Sequence, residues 1–68
     1  MFQLIKLIYR VYQINKATYL VAPVAGDLEK ALTWMATPNP VFFNFSPANY
    51  ILAGKGKSVL KFIKGISL

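Results

Sequence analysis

"MFQLIKLIYRVYQINKATYLVA", residues Met1–Ala22, carries the clearest repeat in the chain. Gln3, Lys6, Arg10, Gln13 and Lys16 recur three and four residues apart. That is helical period. At about 100° per residue these positions fall within about 140° of arc. Phe2, Leu4, Ile5, Leu7, Ile8, Val11, Tyr12 and Ile14 cover most of the remainder. A wide apolar face with a thin cationic stripe suits the boundary between lipid and water. The alternative is a core helix of a small bundle, which buries a narrower stripe. The segment is also basic and free of acid, as mitochondrial presequences are. Lys6 and Arg10 interrupt the apolar run that a secretory signal needs. The helix is expected to belong to the working molecule.

Beyond this helix, breakers divide the chain. Pro23 is expected to end the first helix near Ala22, because proline removes a donor and disfavours helical geometry before it. Gly26 permits a change of direction. Asp27 then reads as an N-cap, with Glu29 in the first turn near the positive helix end. In "DLEKALTWMAT" (residues 27–37), Leu28, Ala31, Leu32 and Met35 share one face and Trp34 lies at its edge. Pro38 and Pro40 stop that helix. Ser46 followed by Pro47 reads as a cap and first-turn pair, opening a short helix that ends at Gly54. In "GKGKSVLKFIKGISL" (residues 54–68), Lys57, Lys61 and Lys64 lie within about 60° of arc, opposite Val59, Phe62, Ile63 and Ile66.

The expected fold is all-α: one small domain of three or four short amphipathic helices, at about 2–22, 27–37, 47–53 and 57–67. Between the second and third runs "NPVFFNFSP" (Asn39–Pro47). It reads as an extended aromatic connector over about 39–46. β alternation would put Val41, Phe43 and Phe45 on one side and Phe42 and Asn44 on the other. No partner strand is evident, so the connector reads either as an anchor in an interface or as a plug in the protein's own core. From Ala31 to Gly54 the chain is uncharged. That is long enough to span a bilayer, but prolines and asparagines interrupt it, so a continuous crossing is not expected.

Composition narrows the chemistry. The chain has eight basic and two acidic residues, a net charge of +6, no histidine and no cysteine. Disulfides and the common zinc, haem and iron–sulfur ligand sets are therefore excluded. So are serine–histidine and cysteine–histidine nucleophilic pairs. Asp27 and Glu29 are the only side-chain carboxylates, and capping accounts for both. "GKGKS" at 54–58 resembles the end of a P-loop, without the first glycine and without an evident preceding strand. No enzyme activity, cofactor or metal is expected.

At 56% hydrophobic residues, a chain of 68 has more apolar surface than so small a domain can hide. The surplus calls for a membrane, a partner protein or copies of itself. The first reading is thus a small cationic, non-catalytic subunit of a membrane-associated assembly, peripheral or partly embedded. Its expected contacts to anionic lipid or a larger membrane protein are Lys6, Arg10, Lys16, Trp34, Phe42, Phe43, Phe45, Lys57, Lys61 and Lys64. The second is a membrane-permeabilising peptide: size, charge, absence of cysteine and amphipathic helices are similar in general character to leaderless and circular bacteriocins. Nucleic-acid binding comes third. Aromatics can stack on bases, but no basic residue stands among Phe42, Phe43 and Phe45.

Overall fold

A computed structural model describes residues 2–67, with side chains placed from Gln3 to Ile66. The Phe2 side chain, expected on the apolar face of the first helix, lies outside that description. The chain is all-helical, with no strand among the described residues. Helix α1 runs Phe2–Ala25 and α2 runs Leu28–Ala36. A 3-10 turn spans Pro40–Phe42. Helix α3 is a single turn, Pro47–Tyr50, continued by a widened turn over Ile51–Lys55. Helix α4 runs Gly56–Ser67.

α1 passes the expected stop. Pro23 sits inside it, and the helix ends at Gly26 instead. Pro23 withholds one backbone donor, a cost that ends many helices. Here Val21, Ala22 and Ala25 pack on the core on both sides of it. The Gly26 N–H still reaches the Ala22 carbonyl at 2.9 Å. Packing thus holds the last turn, and reversal waits for Gly26, whose φ of 121° is one that L side chains rarely adopt.

Both capping expectations hold. The Asp27 carboxylate accepts from the Lys30 N–H at 2.8 Å. The Ser46 hydroxyl accepts from the Asn49 N–H at 3.2 Å, with Pro47 in the first helical position. The break at Gly54 also holds, with φ 92° and ψ 10°. Thr18, buried in α1, donates its hydroxyl to the Ile14 carbonyl at 2.8 Å, so its burial leaves no unmet donor.

The core gathers Ala17 and Val21 of α1, Ala31 and Met35 of α2, Phe42, Ile51, and Val59 and Ile63 of α4. Of the expected α2 face, Ala31 and Met35 are buried while Leu28 and Leu32 remain exposed. The α1 residues of this core lie in its C-terminal half. A 24-residue helix is about 36 Å long, close to the molecule's 38 Å long axis against 22 and 21 Å across. The N-terminal turns of α1 therefore run beyond the core.

Glycine chemistry tests this arrangement. Gly26→Ala forces a side chain onto a backbone conformation that costs of order 1–3 kcal/mol, and urea unfolding followed by circular dichroism should show that loss. Gly65 lies within α4, where an added Cβ meets nothing within 4 Å. Gly65→Ala should instead gain up to about 1 kcal/mol. Equal effects at both sites would contradict the turn at Gly26.

Candidate interaction surface

The rotation of α1 decides what the protein shows to its surroundings. Ala17 and Val21 face the core. At 3.6 residues per turn, the positions sharing their line within about 80° are Gln13, Arg10, Lys6 and Gln3. The polar stripe is therefore the inward line of the helix. Gln13 is buried, Arg10 is half-buried, and Lys6 and Gln3 follow beyond the core. The opposite face carries Leu4, Ile5, Ile8, Val11, Tyr12 and Tyr19, all exposed; Ile5 and Ile8 stand at 62% and 61% and Tyr19 at 72%. Lys16 is exposed at the flank of this face, where it borders a shallow depression with Tyr12, Asn15, Tyr19 and Leu20.

α4 has the same kind of pattern and the opposite outcome. Val59 and Ile63 are buried, Leu60 and Phe62 half-buried, and Lys57, Lys61 and Lys64 exposed. Its first turn meets the inward line of α1. Gly56 marks a close approach of the two helices: a Cβ there would collide with the Gln13 amide. Lys6, Tyr9, Arg10 and Gln13 of α1 and Gly54, Lys55, Lys57 and Ser58 line a cleft of about 380 Å³. Lys6 and Arg10, expected to face headgroups or an acidic partner directly, thus turn toward Lys57 across this cleft. Tyr9, Gln13, Lys55 and Ser58 were not among the expected contacts. The signal was in the spacing, since Gln3, Lys6, Arg10 and Gln13 extend the very line that Ala17 and Val21 occupy.

The aromatic connector is not an extended strand. Asn39 and Ser46, at its ends, have extended backbone. Between them the chain folds on itself. The Asn39 side chain accepts from the Val41 N–H at 3.0 Å. The Asn39 carbonyl accepts from Phe42 and Asn44 at 2.9 and 3.0 Å, and the Asn39 N–H donates to the Phe45 carbonyl at 3.1 Å. Phe43 and Asn44 reverse the chain with positive φ, 56° and 67°. The segment therefore satisfies its backbone without a partner strand. A left-handed conformation is uncommon for a bulky residue and stores strain.

That turn divides the three phenylalanines. Phe42 points inward, 3% exposed, with ring centroids 5.4 Å from Phe62, 5.2 Å from Tyr50 and 6.3 Å from Trp34. Trp34, half-buried, stacks on Phe62 at 6.3 Å and 4°. Phe42 is thus core rather than contact surface, and Trp34 belongs largely to the same cluster. Phe43, at 78% exposure, and Phe45 remain outside with Val41, their rings about Tyr50 at 6.4 and 6.0 Å. Among the described residues no group of three or more histidine, cysteine, aspartate or glutamate side chains comes together to hold a metal. No protein-family model matches this chain, and no curated protein or solved structure shows significant similarity to it.

The two kinds of phenylalanine should separate in mutants. Phe42→Ala should cost about 3–5 kcal/mol, the loss for a buried ring with its cavity. Phe43→Ala should stay within about 0.5 kcal/mol, as for an exposed side chain. Chemical unfolding of the two variants side by side checks this; comparable losses would place Phe43 in the core.

Proposed function

We propose that this protein is a small, non-catalytic, membrane-associated helical subunit that rests on lipid through the outward face of α1. The observation that carries the reading is the orientation of that helix. Its polar stripe faces the body of the molecule, and its aliphatic residues face out. Burying such a side chain fully is worth about 1.5–3 kcal/mol, so the four half-exposed ones, Leu4, Ile5, Ile8 and Val11, returned to an apolar medium contribute on the order of 4 kcal/mol. A contribution of that size gives marginal, reversible attachment, and stable anchoring takes a second signal such as positive charge. Lys16 at the flank of the face supplies it locally, and the net charge of +6 adds longer-range attraction to a bilayer of anionic lipid. Tyr12 and Tyr19 with Lys16 at the edge of the face match the residue types that favour the headgroup level. Among the described residues no helix is long and apolar enough to cross a membrane, so the reading has α1 lying in the interface. Phe43 and Phe45, held outward by a strained turn, would meet a larger membrane protein or a second copy of the chain.

A self-contained core favours a second reading. Eight buried apolar residues drawn from every helical segment except α3 form one cluster within a single chain. Such a chain can act alone on lipid, as a membrane-permeabilising peptide of the bacteriocin kind must.

Vesicle flotation tests attachment. The wild-type chain should float with anionic vesicles, and Ile5→Gln with Ile8→Gln should remove at least about tenfold of that affinity, following the lost apolar area, with helicity kept. Retained flotation of this variant would remove α1 as the contact. Dye release from the same vesicles separates the two readings: a subunit binds without leakage, and a permeabilising peptide releases the dye.

A further inference from the structure

The cleft between α1 and the start of α4 is built differently from the rest of the surface. Lys6, Arg10, Lys55 and Lys57 line it, and among the described residues no carboxylate does. Both acids of the chain stand instead at the start of α2, where Asp27 is the cap and Glu29 lies in the first turn. Four like charges brought to one cavity repel one another, and no acidic side chain among the described lining residues offsets them.

Beneath them lies Gln13. It is 5% exposed, it lines the cavity, and no hydrogen bond from the described residues engages its side-chain amide. Its oxygen and nitrogen keep contact with the cavity, since no enclosed polar side-chain atom is left unbonded. A polar group so far buried without a protein partner takes its hydrogen bonds from whatever fills the cavity, water or a ligand. Ser58 adds a hydroxyl at the same wall, and α4 opens there with the positive end of its dipole and no acid in its first turn.

We propose that this cleft binds a phosphate group. Arg10 and the three lysines neutralise its charge, and the Gln13 amide and the Ser58 hydroxyl donate to its oxygens. A phosphate monoester fits this set better than a carboxylate does. It carries close to two negative charges near neutral pH and three terminal acceptor oxygens. A guanidinium matches it with two parallel hydrogen bonds. The cleft lies on the side of α1 away from the outward aliphatic residues, so a soluble phosphate can enter it while α1 rests on a bilayer, whereas a lipid headgroup reaches it only where the chain meets a membrane through the cleft face instead.

The phosphate can belong to a soluble molecule or to a lipid headgroup, and two arms distinguish them. In the first, the full chain in dodecyl maltoside, a phosphate-free detergent, is titrated with inorganic phosphate against chloride at matched ionic strength. The Gln13 side-chain amide and the backbone amides of Lys57 and Ser58 should shift saturably in heteronuclear spectra. Arg10→Gln should weaken binding at least about tenfold, as expected for loss of a charge-assisted pair. Lys30→Gln, which removes the same charge elsewhere, should not. The second arm compares flotation with phosphatidic acid vesicles and phosphatidylserine vesicles of equal charge. A preference for phosphatidic acid that Arg10→Gln abolishes, without a response to inorganic phosphate, assigns the site to a lipid headgroup. Gln13→Met, helical by circular dichroism, should weaken binding in whichever arm responds. The inference fails if neither arm responds at the cleft, if Arg10→Gln and Lys30→Gln act alike, or if folded Gln13→Met binds as tightly as the wild type.

Discussion

The seating of α1 through Ala17 and Val21 is the constraint on which the rest depends. A straight helix has one rotation along its whole length. Once Ala17 and Val21 face the core formed with Ala31, Met35, Val59 and Ile63, every earlier residue of α1 is oriented as well. Gln13, Arg10, Lys6 and Gln3 then point the same way as the core residues, and Ile5, Ile8, Tyr12 and Tyr19 point the other way. The small side chain at Ala17 and the absence of a bulky residue at Gly56 let the helices approach closely. That approach buries Gln13 and brings the basic residues of two distant segments to one cleft. The outward apolar face and the cationic cleft are two results of a single packing decision.

α1 and α4 show why amphipathic pattern alone does not assign an inside. Both carry lysines or arginine opposite an apolar arc. In α4 the apolar arc contains the buried Val59 and Ile63, and the lysines are exposed. In α1 the residues that dock, Ala17 and Val21, lie one and two turns beyond Gln13. Their pull on the rotation outweighs the pattern of the turns before them, because those turns extend past the core and have little to pack on.

The connector between α2 and α3 makes a related point about local chemistry. Asn39 collects four hydrogen bonds of the turn, two through its carbonyl and one each through its amide N–H and side chain. With Pro40 starting the turn and Phe43 and Asn44 reversing it, the chain needs no strand partner. The two readings of the phenylalanines, plug and anchor, turn out to divide among them. Phe42 fills the core, while Phe43 and Phe45 stay outside around Tyr50.

Local signals in the sequence were enough for the all-helical class, the cap at Asp27, the cap and proline at Ser46–Pro47, and the breaks at Gly26 and Gly54. Each depends on a residue's own backbone preference or on a side chain reaching two or three positions along the chain. The absence of a serine–histidine or cysteine–histidine pair follows from a composition with no histidine and no cysteine. Three things were decided only by tertiary structure. Pro23 lies within α1 because packing on both sides of it outweighs the missing donor. Phe42 is core because the turn at Asn39 aims it at Trp34, Phe62 and Tyr50, residues from three other segments. Lys6 and Arg10 share a cleft with Lys55 and Lys57 because the rotation of α1 is fixed by contacts with α2 and α4, and a one-dimensional pattern contains no information about which arc those helices will cover.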